Sequence, residues 1–176
     1  EGPVWIDAHN PAIAPDSDEG FLLFSDPNNN TIYRMTPDGE VQVYLTKSGY
    51  AGENIGEYRQ PGSNGLTTDS QGRLTICQHG NRSVARVENT GITTAFAARF
   101  NAQRPNLSND LVYRSDGTLS FTDPPLGLPK FADDPHREQP HLGVYSVKDG
   151  KEQLLRKPFP SLPNENLLLR PLPILN

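Results

Sequence analysis

Ser108-Asn109-Asp110-Leu111-Val112-Tyr113-Arg114-Ser115-Asp116-Gly117-Thr118-Leu119-Ser120-Phe121-Thr122-Asp123-Pro124-Pro125 decides the fold, because a near-copy precedes it in the chain. The copy is Ser63-Asn64-Gly65-Leu66-Thr67-Thr68-Asp69-Ser70-Gln71-Gly72-Arg73-Leu74-Thr75-Ile76-Cys77-Gln78. Asn109 lies 45 residues (109 − 64) after Asn64, and at that offset Ser, Asn, Leu, Ser, Gly and Leu recur without a gap. Each copy reads as two strand-forming runs joined by a Ser/Asp/Gly turn. The runs are 66–69 and 74–77 in the first copy and 111–113 and 119–122 in the second, so each is a hairpin. A period of about 40–50 residues filled with short strands and Gly turns is the mark of a β-propeller blade. Helical-pair repeats have similar periods, but the strand content sets them aside.

Working outward, the two copies become the second and third of four units at about this spacing. The first has strand-like residues in Glu1 to Asp7, then runs at 21–26, 31–35 and 41–45, separated by Asn28-Asn29-Asn30 and Pro37-Asp38-Gly39. The run 21–26 is apolar enough to predict a strand buried on both faces. The second unit is expected to place strands at 66–69, 74–78, 83–87 and 92–96, and the third at 111–114, 119–122, 143–147 and 152–155. Residues 124–142, long and Pro-rich, should project as a loop on one face. A fourth unit opens at Leu162-Pro163-Asn164-Glu165-Asn166-Leu167, but after Leu169 two prolines and the lack of a turn end the pattern. The expectation is a partial propeller domain over 1–167 and an irregular stretch over 168–176, read as a truncation or a non-native tail.

Composition is consistent with one turn-rich domain. The 176 residues are 34% hydrophobic, with a mean hydropathy of −0.61, and Gly 15 with Pro 17 argue against a helical bundle. A net charge of −5 without a basic run argues against nucleic acid or an anionic membrane as partner. No apolar stretch approaches the roughly 18 residues of a membrane span. The single cysteine, Cys77, excludes an internal disulfide framework, and its place in a predicted strand suggests a small buried hydrophobe. The chain opens at Glu1 without Met or an apolar leader, which is compatible with a lost targeting segment.

The first strand of a propeller blade lines the central axis, so the residue just before it sits at one mouth of the channel. Those residues are Glu1, Asn64, Asn109 and Asn164, and each carries a side-chain oxygen. An Asn before a strand is ordinarily a turn residue. Recurrence at one position in four units points instead to oxygens converging on the axis. One of them is a carboxylate, which suits a hard cation such as Ca²⁺, with its roughly 6–8 oxygen ligands. No Cys/His cluster has zinc spacing, and no nucleophile elbow, P-loop or GxGxxG is present.

Glu1-Gly2-Pro3-Val4-Trp5, Asn64-Gly65-Leu66, Ser108-Asn109-Asp110 with Phe121-Thr122-Asp123-Pro124-Pro125-Leu126-Gly127-Leu128, and Pro163-Asn164 together resemble the SMP-30/gluconolactonase/LRE family, also called regucalcin-like. The resemblance runs over about residues 1–167 in order and spacing. It implies a six-bladed propeller and Ca²⁺-dependent hydrolysis of sugar lactones or related esters. It further implies that Glu1, Asn109 and Asn164 are metal ligands for Ca²⁺ or another divalent cation, with Asn64 and Asp110 beside them. Two departures stand out. Residue 165 is Glu where the family pattern has Gly, and the carboxylate ligand that the family takes from a fifth blade has no counterpart. A six-bladed ring at this repeat needs about 270–300 residues. The chain is therefore expected to be an incomplete fragment with open edges and without competent lactonase activity of its own.

For lactone hydrolysis the expected general base is Asp110, with Asp123 second; the alternatives are that Asp110 orients Asn109 or caps a turn and that Asp123 initiates a turn before Pro124. Asn64 and His79 are the expected substrate-binding residues. His79 sits in a loop, Gln78-His79-Gly80-Asn81-Arg82, where a solvated side chain is the ordinary outcome. His136 and His141 lie in the long loop and could border a site, while His9 reads as surface. The rival class is a non-catalytic propeller binding module, which the fold alone does not separate from an enzyme.

Overall fold

A computed structural model of the chain describes residues 1–125, 128–140 and 142–156. They form three four-stranded antiparallel sheets, each a meander in chain order. Unit 1 holds β1 (Val4–Ile6), β2 (Phe21–Asp26), β3 (Thr31–Met35) and β4 (Val41–Thr46). Unit 2 holds β5 (Ser63–Thr68), β6 (Leu74–Gln78), β7 (Ser83–Val87) and β8 (Thr93–Ala97). Unit 3 holds β9 (Leu111–Tyr113), β10 (Leu119–Asp123), β11 (Gly143–Lys148) and β12 (Lys151–Arg156). Two single-turn 3-10 helices, Ile55–Glu57 and Phe131–Asp133, lie in loops. The all-β propeller arrangement expected from the repeat is present. The expected fourth-unit opening and the stretch 168–176 lie outside the described residues.

The repeat exists because the same turn chemistry recurs. In unit 2 the Asp69 carboxylate accepts from the Gln71 and Arg73 amides at 2.9 and 3.0 Å, closing the turn between β5 and β6. In unit 3 Asp116 accepts from the Thr118 amide at 3.0 Å in the matching turn between β9 and β10. Gly72 and Gly117 occupy the same left-handed position, at φ +78° and +81°.

The units stack face to face, with β5 packing against β1, β2 and β9. Two apolar layers result. Ile6, Phe21, Leu23 and Ile32 of unit 1 meet Leu66, Leu74 and Ile76 of unit 2. Cys77, Val84 and Ala97 of unit 2 meet Leu111, Leu119, Phe121, Tyr145 and Val147 of unit 3. Strand parity sorts β6 between the two layers: Leu74 and Ile76 face unit 1, while Cys77 faces unit 3.

That position corrects one expectation. The run 21–26 is not buried on both faces: Phe21, Leu23 and Ser25 are buried, while Leu22, Phe24 and Asp26 are half-exposed. The strands buried along their whole length are β6, Leu-Thr-Ile-Cys-Gln, and β10, Leu-Ser-Phe-Thr-Asp. Apolar content alone does not decide burial here, since both are less apolar than β2.

Candidate functional site

The first strands of the units begin at one end of the stack, where their backbones touch. A Cβ on Gly2 would lie 2.2 Å from the Asn64 carbonyl oxygen and 2.7 Å from Gly65 Cα. A Cβ on Gly65 would lie 2.8 Å from both the Asn109 carbonyl oxygen and Asp110 Cα. Glycine is required at both positions for this close approach. One hydrogen bond completes the seam, from the Gly65 amide to the Asn109 carbonyl at 2.7 Å. Glu1, Asn64 and Asn109 thus belong to chain segments that abut in sequence around the axis.

Each is held by its backbone. The Glu1 carbonyl accepts from the Ser25 amide at 2.8 Å, and the Asn109 amide donates to the Thr122 carbonyl at 2.9 Å. Asn64 falls inside β5, within a bulge between Ser63 and Leu66, and not before the strand as expected. It is 7% exposed. The side-chain amides of Asn64 and Asn109 make no hydrogen bond among the described residues, and the Glu1 carboxylate is exposed. These are oxygens that a hard cation or a polyhydroxylated ligand can use. No group of three or more His, Cys, Asp or Glu able to hold a metal occurs among the described residues. Asn164, the remaining expected ligand, lies outside the described residues, as does His141.

Beneath the seam runs a buried polar chain that no motif announced. Ser25 Oγ and Ser63 Oγ are 2.8 Å apart, and Ser63 Oγ donates to Ser48 Oγ at 2.9 Å. Gln78 Nε2 donates to the Ser48 carbonyl at 2.9 Å. The chain ties unit 1 to unit 2 where Glu1 and Asn64 emerge. Serines at those spacings carry no periodic signal, since their partners are 38 and 15 residues away.

Asp110 and Asp123 have different environments. Asp110 is half-buried; its amide donates to Thr122 Oγ1 at 3.1 Å, and its Oδ1 accepts from the Leu111 amide at 2.9 Å. Asp123, at the end of β10, has no exposed surface. Its Oδ2 accepts from the Asn106 amide at 2.8 Å. Burial pushes its pKa up to about 7, against the pull of the Asn106 and Leu107 amides and of the Arg82 charge. Asp123 therefore anchors the segment that leads into Asn109 and Asp110.

His79 is fully enclosed. Neither ring nitrogen has a hydrogen-bond partner among the described residues. Burial pushes its pKa down to about 4, with the nearby Gln60 carbonyl opposing, so the ring is neutral at ordinary pH. Its amide donates to the Gly62 carbonyl at 3.1 Å. The neighbouring Arg82, unremarked in sequence, is 3% exposed and reaches two loops, donating from Nε to the Pro105 carbonyl at 2.8 Å and from Nη1 to the His136 carbonyl at 2.7 Å. Through it the long loop is strapped across the same end of the stack. The His136 ring itself is exposed, with Nδ1 3.2 Å from Asp134 Oδ1.

Comparison with known proteins agrees with this architecture. Residues 1–159 match the profile of the SMP-30/Gluconolactonase/LRE-like region. Over 159 residues the chain is 35% identical to a gluconolactonase of Zymomonas mobilis subsp. mobilis, an alignment covering 88% of this chain and 42% of that protein. A solved gluconolactonase of Xanthomonas campestris superposes with a TM-score of 0.66 at 28% identity, covering 89% of this chain and 47% of the other. A second solved structure, a presumptive gluconolactonase, gives 0.69 at 25% identity, covering 89% and 48%. The chain spans less than half the length of each of these relatives.

Proposed function

We propose that this chain, which belongs to the SMP-30/Gluconolactonase/LRE-like family, carries part of the active site of a Ca²⁺-dependent lactonase acting on a sugar lactone or related ester. The observation that carries the reading is the seam itself: the segments bearing Glu1, Asn64 and Asn109 abut, and both amides are uncommitted among the described residues. In this reading Glu1 and Asn109, with Asn164, hold the cation. When bound, it supplies Lewis acidity toward the ring carbonyl.

The chain's own residues then have separate tasks. Asn64, with one amide oxygen and two N–H donors, orients the hydroxyls of the substrate. Asp110, its carboxylate aimed by the Leu111 amide, accepts a proton from the attacking water. The water oxygen bonds to the carbonyl carbon, the ring C–O bond breaks, and the proton passes to the departing ring oxygen, giving the open hydroxy acid. Asp123 is a positioning residue, acting through Asn106 on the segment that carries Asn109 and Asp110.

The test is hydrolysis of glucono-δ-lactone by a protein of the relatives' full length that carries this chain, followed by pH-stat with Ca²⁺ and after chelation. Turnover should fall on chelation and return with Ca²⁺, and Asp110→Asn should lower kcat by about 100-fold or more, the usual size of a general-base contribution. Undiminished turnover after chelation, or an active Asp110→Asn protein, would overturn the assignment.

A further inference from the structure

A cleft of about 630 Å³ opens between the last strands of units 1 and 2, bounded by Leu45 and Thr46 of β4 and by Thr93 and Ala95 of β8. Its charged lining is of one sign: Lys47, Arg82, Arg99 and Arg104, with no Asp or Glu. In a chain of net charge −5 this concentration of cations is local and not a property of the whole surface.

Three carboxylates approach the lining without being part of it: Glu152 accepts from the Arg99 and Ala98 backbone amides, Asp123 acts on the Arg82 charge, and Glu138 is already divided. Its Oε1 lies 3.4 Å from Arg82 Nη1, and its Oε2 accepts from the Arg104 backbone amide at 2.8 Å. Lys47, Arg99 and the Arg104 guanidinium form no ion pair among the described residues. Arg99 Nη1 and Arg104 Nη2 donate to the Ala102 and Asn81 carbonyls, at 2.8 and 2.9 Å, which fixes the two guanidinium groups without neutralising them.

A second observation points to a missing partner. Arg82 lines the cleft and is 3% exposed, yet its Nη2 has no hydrogen-bond partner among the described residues. A buried donor left unsatisfied on a cation is costly, and such groups are normally paired. Burial first, and then the positive charge of Arg104, press the Arg82 pKa down, with the Glu138 and Asp123 charges opposing.

From this geometry we infer that the cleft is a binding site for a small organic phosphate ester. Guanidinium groups present planar paired donors to phosphate oxygens, and Lys47 adds a point charge. The volume falls in the range of about 300–1,000 Å³ typical of small-molecule sites, which leaves room for the organic group against Leu45, Ala95 and Ala98. The site does not rest on the proposed lactonase reading, because none of Glu1, Asn64, Asn109 or Asp110 lines it.

The test is calorimetric titration of the full chain with glucose 6-phosphate, inorganic phosphate and glucose. Saturable one-to-one binding of glucose 6-phosphate is expected, with weaker binding of inorganic phosphate, none of glucose, and loss of affinity as salt is raised. Lys47→Gln and Arg104→Gln should each weaken glucose 6-phosphate by about 10-fold or more, as expected for removal of a hydrogen bond to a charged group. Arg114→Gln, which changes a cation in a separate cleft on unit 3, should leave it unchanged. Arg104 supports the Asn81 carbonyl, so Lys47→Gln decides if Arg104→Gln misfolds. Absence of saturable binding, wild-type affinity in Lys47→Gln, or an equal loss in Arg114→Gln would overturn the inference.

Discussion

Replacing Gly65 with Ala should separate the seam on which the candidate site is built. The added Cβ would stand 2.8 Å from the Asn109 carbonyl oxygen, from Asp110 Cα and from Leu111 Cδ2. Ordinary carbon contacts sit at about 3.5–4.0 Å, so unit 3 must retreat by roughly 0.7 Å or more. Two of the three obstructing atoms are backbone, which cannot swing aside as a side-chain tip can. Overpacking of this kind costs about 1–3 kcal/mol. Stretching the 2.7 Å bond from the Gly65 amide to the Asn109 carbonyl adds about 1 kcal/mol. The total, about 2–4 kcal/mol, corresponds to a fall in Tm of roughly 4–16 °C for a chain of this size. The assay is urea and thermal unfolding by circular dichroism, with Gly56→Ala as control. A Cβ on Gly56 meets nothing within 4 Å, so that change should stay within about 0.5 kcal/mol. A Gly65→Ala protein as stable as the control would refute the close approach.

Asp123 should give the chain a pH dependence opposite to that of most carboxylates. Its folded pKa, raised to about 7, exceeds the ordinary value of 3.8, so its contribution to stability falls as pH rises from about 4 to about 7 and is constant above. Asp123→Asn should remove that component, seen as a difference between the Tm–pH curves of the two proteins confined to that window; parallel curves would count against it. Cys77 is enclosed, and burial raises its thiol pKa well above the usual value, so a disulfide reagent at neutral pH should label it only after denaturant is added. Ser63→Ala should cost about 1–3 kcal/mol in unfolding free energy, because it strands the Ser25 hydroxyl in a buried place, while Ser48 Oγ keeps the residue 63 amide as donor.

The architecture was legible because units 2 and 3 repeat a tight turn locally. Asp69 with Gly72, and Asp116 with Gly117, close hairpins that can be read from a few adjacent residues. Burial was less legible. Phe21-Leu22-Leu23-Phe24 is more apolar than Leu74-Thr75-Ile76-Cys77, yet β6 is the strand that lies between two sheets. Among the site residues, the recurring Asn could be found by their period, and Gly65 by its place beside one of them. Arg82, Asn106 and the three serines could not. Their partners lie far along the chain, from 15 residues between Ser48 and Ser63 to 54 between Arg82 and His136, and no local pattern encodes a contact of that kind.

The same geometry explains why a costly buried carboxylate stands at position 123. Asn109 sits at the junction of two units: its carbonyl is bonded to Gly65 of unit 2, and its amide to Thr122 of unit 3. Those bonds fix its backbone while its side chain remains unbonded among the described residues, which is what a ligand oxygen needs if it is to be both available and well placed. The chain entering the junction must therefore be held from behind. Asp123 does this by drawing the Asn106 and Leu107 amides toward one carboxylate. An apolar residue there would avoid the desolvation that raises the Asp123 pKa, but it would leave the Asn106 amide buried without an acceptor. The unfavourable charge and the ordered segment are two aspects of one arrangement, and the site is positioned by the docking of units 2 and 3 together with this internal tether.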